Sequence, residues 1–255
     1  MAVQVQSAQE LFVQGVRLTC FTSDLSLEMN ADAVEQTTYC SSGAREFRQG
    51  LKTFTLMASG FADYAASTAE STAIPPGEEI IPANLGGARA FSVCPINSTE
   101  GSPAYVFGGV YSEMVPLGGA VGDMAPYSVT AIGTMRGFGH RMMRGIVEAN
   151  RTVTSSSNTT GSNTLGALSA TQRLGASLHV LTLSGTSPSI AVKIQSDDNS
   201  GFTSATDRIT FTTATTRTGE FKDVAGAVTD SYWRVAYTVT GTTPSILFVV
   251  TMGIY

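Results

Sequence analysis

Residues 233–252 read WRVAYTVTGTTPSILFVVTM. Trp233, Val235, Tyr237 and Val239 alternate with Arg234, Ala236, Thr238 and Thr240. Ile246, Phe248, Val250 and Met252 resume the alternation beyond Gly241-Thr-Thr-Pro244. A period of two places each apolar set on one face of a sheet, whereas a helix needs a period of about 3.6. Working upstream, Ile190, Val192 and Ile194 alternate with Ala191, Lys193 and Gln195, and Ile209 and Phe211 with Arg208, Thr210 and Thr212. The run Leu178–Leu183 enters Ser184-Gly-Thr-Ser-Pro188. Both Gly-to-Pro stretches carry turn chemistry and predict hairpin connections between antiparallel strands. Several strands at this spacing predict a sandwich or jelly roll.

The N-terminal part continues the theme. Leu25, Leu27 and Met29 alternate with Ser26, Glu28 and Asn30; Phe54, Leu56 and Ala58 alternate with Thr53, Thr55, Met57 and Ser59. Ala104–Phe107 and Tyr127–Ile132 also read as extended. An Ala-rich helix is expected over Phe61–Ala73, stopped by Pro75-Pro76, with a second short helix near Ala83–Arg89. The small, polar stretch from Asn150 to Asn163 has the composition of a linker. The expected organisation is therefore residues 1–150, a linker at 151–163, and a second antiparallel sandwich domain at 164–255.

Composition supports sheets over helices. Of 255 residues only 14% are charged, with 26 Gly, against a usual charged share of about 25%. Charge is uneven: residues 1–150 hold eight Lys/Arg and fourteen Asp/Glu, a net of −6, while 151–255 hold seven and six, a net of +1. A groove-type nucleic-acid binder needs clustered cations, which the chain lacks. Cys20, Cys40 and Cys94 cannot all pair and read as reduced thiols. The first residues have neither a basic start nor an apolar core, and no run approaches a membrane-spanning length, so an unexported protein made in the cytoplasm is expected.

Catalytic and metal motifs do not emerge. His140 sits in basic Arg136-Gly-Phe-Gly-His-Arg-Met-Met-Arg144 and reads as an interface or turn residue. His179, between Leu178 and Val180, reads as a partly buried structural histidine. Ser196-Asp-Asp-Asn-Ser-Gly201 reads as an Asx-type turn in preference to a calcium loop. Trp233 alternates with core residues and reads as core. No enzyme, metal or cofactor is expected from these residues.

The stretch LEMNADAVEQTTYCSSGAREFRQGLKTFTLMASGF, residues 27–61, resembles the tail tube proteins of long-tailed bacteriophages. The matching residues are Glu35, Thr37, Tyr39, Arg45, Phe47, Gly50, Leu51, Lys52, Phe54, Leu56 and Gly60. GSPAYVFGGV at 101–110 and VGDMAPYSVTAIG at 121–133 resemble later strands of the same family, so the likeness spans about residues 10–150. The resemblance implies a mainly β fold: a sandwich or barrel with one short flanking helix, carrying the second sandwich outside it. It implies a structural virion protein of the phage tail, with six subunits to a ring and rings stacked into the tube that carries the genome. The implied partners are further copies, other tail proteins, and viral DNA that passes without specific binding; no membrane and no cofactor are implied. An arm formed by Glu35, Thr37, Tyr39, Arg45, Phe47, Leu51 and Lys52 is expected to contact the next ring. Ser26, Glu28 and Asn30, with Asp32 at their end, are expected to face the lumen, where an acidic wall repels phosphate. Two other readings stand beside this one: a different virion protein (capsid decoration or tail adaptor), and a carbohydrate-binding module in residues 151–255.

Overall fold

The computed structural model describes residues 9–19, 22–38, 40, 44–61, 85–115, 120, 123, 126–133, 145–162 and 164–255. Its strands are β1 (Glu10–Val13), β2 (Val16–Arg17), β3 (Thr22–Glu35), β4 (Phe47–Phe61), β5 (Ala88–Cys94), β6 (Pro103–Val115) and β7 (Pro126–Gly133). They continue with β8 (Gly145–Val153), β9 (Ser157–Asn158), β10 (Arg173–Asp197), β11 (Thr206–Thr210), β12 (Thr218–Ala225) and β13 (Tyr232–Ile254). The pairings are antiparallel throughout. Among the described residues there is no α-helix. The helix expected at Phe61–Ala73 begins on the last residue of β4, and its remainder lies outside the described residues. The helix expected near Ala83–Arg89 is replaced by a turn at Leu85–Gly87 and the start of β5.

The two Gly-to-Pro stretches are not hairpin turns. β10 and β13 run through them as strands of 25 and 23 residues, paired along almost their whole length. The reason is register: Thr186 faces Thr242, so the two breaks coincide. Gly185 and Gly241 take φ of 113° and 115°, and Ser187 and Thr243 both take 49°. A Cβ at Gly185 would lie 2.7 Å from the Thr243 carbonyl, and one at Gly241 2.9 Å from that of Ser187. Two like corners thus cross and fold the ribbon. The proof of folding is within β13 itself. Tyr237 and Phe248 rings meet at 5.3 Å, though eleven residues of straight strand would separate them by roughly 36 Å.

Each half of the folded ribbon builds one sheet of a sandwich. The second half of β10 and first half of β13 pair with β11 and β9 as the outer sheet. The other halves pair with β12 and β8 as the inner sheet. Ile190, Val192, Ile194, Trp233 and Val235 of the outer sheet share one core with Leu174, Leu178, Phe248, Val250 and Met252 of the inner one. Trp233 is fully buried, its Nε1–H donating to the Gly166 carbonyl at 2.8 Å.

The inner sheet is buried on its other face as well. Leu181 and Val249 join the core of the N-terminal strands, with Leu11, Phe12, Phe91 and Val106, and Leu247 packs against it. Burial on both faces explains the unbroken apolar run Ile246–Val250. His179 sits fully buried between these layers. The Gly15 N–H reaches its Nδ1 at 3.4 Å, which leaves the ring proton on Nε2, 2.8 Å from Ser92 Oγ; Ser92 in turn bonds Thr251 Oγ1 at 2.6 Å. Gly15, at φ 78° in the β1–β2 turn, admits this approach, since a Cβ there would stand 2.6 Å from the Thr218 carbonyl. Burial pushes the imidazole pKa down to about 3.

The 151–163 stretch, expected as a linker, instead carries the end of β8, β9 and further bonds to β13. A chain ending at Asn150 loses Leu181, Leu247 and Val249 from its core and is expected to show no cooperative unfolding transition. A sharp urea transition in that shortened chain would contradict the shared core.

His179 stays neutral in the fold below pH 6.5, where the unfolded chain takes up a proton. The contribution of His179 to stability is therefore expected to fall as pH drops from 6.5 towards 3, by about 3 kcal/mol at pH 4. His179→Gln, which cannot titrate, should remove that contribution, so that lowering the pH from 7 to 4 moves its urea midpoint upward relative to the same change in the unaltered chain.

Candidate functional site

β3, β4, β7 and the end of β6 form a four-stranded sheet whose two faces differ sharply. Phe54, Leu56, Ala58, Tyr127, Val129, Ala131 and Tyr111 point into the core and are at most 5% exposed. The alternate residues point to solvent. Register places them in rows: Asp24, Ser59, Ser128 and Val115; then Ser26, Met57, Thr130 and Glu113; then Glu28, Thr55, Ile132 and Val110; then Asn30 with Thr53. Ser26, Glu28 and Asn30 thus lie together on the face turned from the core, opposite Leu25, Leu27 and Met29. Asp32 is exposed where the β3–β4 register shifts.

This face carries Asp24, Glu28 and Glu113 among hydroxyls, an amide and a few apolar groups. The four segments 24–30, 53–61, 110–115 and 126–133 contain no Lys or Arg at all. The surface is a hydroxyl-rich wall with negative charge and no phosphate-binding group. The contributions of β6 and β7 escaped sequence reading, although the alternation Ser128, Thr130, Ile132 signalled them. Among the described residues β3 pairs with β4 alone, which leaves its other edge open there.

Beyond Thr55, where pairing with β7 ends, β3 and β4 continue as a ribbon with no further strand among the described residues. Residues 28–38 are exposed on both its faces. At its end Glu35 faces Phe47 across the register. Thr37 Oγ1 donates to Glu35 Oε1 at 2.7 Å and accepts the Glu46 N–H at 3.2 Å, while Arg45 stands 4.0 Å from Glu35. The structure therefore brings Glu35, Thr37, Arg45 and Phe47 together. Tyr39 lies outside the described residues; Leu51 and Lys52 lie in β4, but their side chains are outside the described set. Phe47 is 56% exposed and Val34 54%, apolar groups on a ribbon with no core beneath them.

Two histidines were singled out. His179 belongs to the interior, and His140 lies outside the described residues. Asp197 accepts N–H bonds from Asn199 and Ser204, the pattern of an Asx-type turn. Cys94 is buried and Cys40 exposed, both as free thiols; Cys20 is outside the described residues.

No family model matches the chain, and no curated protein matches it. Among solved structures it is similar to a chain in the tail of an empty GTA particle refined with C6 symmetry. That likeness has 13% identity and a TM-score of 0.35, over 46% of this chain and 79% of that one. A chain in the virion of a native gene transfer agent gives 15% and 0.36, over 49% and 92%. The SPP1 Dit protein, described as a paradigm of the hub adsorption apparatus in phages infecting Gram-positive hosts, gives 10% and 0.32, over 98% and 100%.

Gly50 lies at the ribbon's irregularity, where a Cβ would stand 2.9 Å from both Asp32 Cβ and Val34 Cγ2. Gly50→Val is expected to raise hydrogen exchange in residues 31–35 and 47–49. The chain's unfolding free energy in urea should change by less than about 1 kcal/mol, because the described core does not include the ribbon.

Proposed function

We propose that the chain is a structural, self-assembling subunit of a phage-type tail tube. Copies close into rings, six to a ring as the sequence resemblance implies, and rings stack into a duct for the genome. The observation that carries this reading is the solvent face of the β3–β4–β7–β6 sheet, acidic and free of Lys and Arg. DNA sliding past many subunits is arrested by a weak attraction at each, so a duct wall must not gather phosphates. Asp24, Ser26, Glu28, Asn30, Asp32 and Glu113 have that property and are assigned to the lumen. The open edge of β3 offers main-chain groups for the neighbouring subunit in the ring.

The ribbon end, with Glu35, Thr37, Tyr39, Arg45, Phe47, Leu51 and Lys52, is assigned to the next ring, where Phe47 and Val34 leave water. Residues 164–255 stand outward, with other tail proteins within reach. In this reading the protein has no catalytic role and resides in the virion tail after synthesis in the host cytoplasm.

Purified protein at high concentration is expected to show tubes of constant diameter by negative-stain electron microscopy. Particles that stay monomeric at every concentration and salt would overturn the reading. Glu28→Lys with Glu113→Lys should still form tubes, since both side chains face water. Those tubes should retain duplex DNA at about 50 mM salt and release it at several hundred millimolar, as counterion release requires. Unchanged DNA retention would remove this face from the lumen.

A further inference from the structure

Glu148 is a buried acid that the tube reading does not use. It is the extra residue of a bulge in β8: Val250 pairs with Ala149 and Thr251 with Val147, leaving Glu148 between them. Its residue is 6% exposed. Its Oε1 accepts a bond from Thr159 Oγ1–H at 3.0 Å. Thr159 lies in the strap 154–162, which crosses the edge of the outer sheet.

The strap's other side chains are mostly in solvent. Residues 154–158 and Thr160 are exposed, and Thr159 is the one buried side chain between Thr154 and Thr160. Thr159 Oγ1 accepts the Val235 N–H at 2.9 Å while donating to Glu148, so one hydroxyl bridges the strap, the outer sheet and the acid. The strap is also an edge strand of the outer sheet: Ser157 and Asn158 pair with Tyr237 and Ala236, Ser156 Oγ accepts the Val239 N–H at 2.8 Å, Thr159 N–H donates to the Val235 carbonyl, and Ser162 and Trp233 form a reciprocal pair. The charged groups facing Glu148 are Glu100, from the β5–β6 connection, and Arg151, from its own strand. These two are paired with each other, and Arg151 also interacts with the Tyr237 phenol.

We propose that Glu148 is a pH-operated latch: ionisation of its carboxylate releases the strap 154–162 and uncovers the Trp233–Val239 edge of the outer sheet. A carboxylate buried beside apolar Ala149 and Val250, with one hydroxyl as partner, lacks the solvation its charge demands. The nearest relief is water entering where Thr159 sits, the one buried side chain of an edge strand that otherwise faces solvent. Burial raises the carboxyl pKa to about 7; the Thr159 bond acts in the opposite sense and is outweighed, with Glu100 adding to the rise and Arg151 reducing it. With the strap open the carboxyl is hydrated and returns towards its ordinary value of 4.5. Opening therefore becomes easier as pH rises from 4.5 to about 7, and no easier above that.

The test is hydrogen exchange at the Thr159, Ser162, Trp233 and Val235 amides, corrected for intrinsic base catalysis, from pH 4.5 to 8.5. In the full chain, protection is expected to fall tenfold or more between pH 5 and 7 and then level off. Amides of Phe248–Met252 should keep theirs. Glu148→Gln should be flat across the range with the strap closed; Thr159→Val should be poorly protected at every pH. A flat profile in the unaltered chain, or the same slope in Glu148→Gln, overturns the latch. Loss of protection at Phe248–Met252 in step with the strap overturns it too, because the event would then be unfolding of the sandwich.

Discussion

A ribbon of two strands, each more than twenty residues long, has two apolar faces and cannot satisfy both while straight. β10 and β13 resolve this by folding at the crossed corners Gly185–Pro188 and Gly241–Pro244. Everything else follows from the fold in the ribbon. Its outer half needs only one covered face and so alternates Trp233, Val235, Tyr237 with polar partners. Its inner half is covered twice, and the N-terminal strands provide the second cover. The His179 contact marks where that cover meets the ribbon. An imidazole there is tolerated because Gly15 and Ser92 satisfy both ring nitrogens, at the expense of keeping the ring uncharged.

The strands were legible because half-buried sheets write their burial into a period of two. Leu25, Leu27, Phe54, Leu56, Ile190, Val192 and Trp233 all fall on the side that alternation assigns. What alternation could not reveal is which turn signals end a strand and which bend one. Gly-Thr-Thr-Pro has the chemistry of a hairpin loop: a glycine at positive φ, then a proline without an N–H. It becomes a corner because an equivalent stretch faces it across the register, and that pairing is a tertiary fact. The polar run after Asn150 failed as a linker for a related reason. Small hydroxyl side chains suit a mobile tether, but those of Ser156 and Thr159 also suit the backbone of an uncovered sheet edge.

The proposed site was legible in halves. Ser26, Glu28 and Asn30 could be placed on one face from β3 alone. The wall itself required the registers that bring Thr55, Thr130 and Glu113 beside them, and those pairings span from Ser26 to Thr130 in sequence. The ribbon end followed from a motif, since no periodicity distinguishes Glu35, Thr37, Arg45 and Phe47. Its geometry adds a physical reason for the motif: Glu35, Thr37 and Glu46 knit the end of two strands that have no core to hold them.

The two buried ionisable groups pull the fold in opposite directions. His179, with its pKa lowered to about 3, favours the folded chain at pH values above 6.5 and weakens it below. Glu148, with its pKa raised to about 7, favours the fold below 4.5 and weakens it as pH rises. Between 4.5 and 6.5 the unfolded chain gains a proton on the histidine and loses one on the glutamate relative to the fold, so the two slopes offset each other. Their positions differ, however. His179 lies between two layers of core, where its protonation strikes at the joint between the sandwich and the N-terminal strands. Glu148 lies under an edge strand with a single buried side chain, Thr159, where strain has a local exit. Compensation in total stability therefore leaves local opening uncompensated, and the place where pH acts on this molecule is set by which buried group has a thin cover.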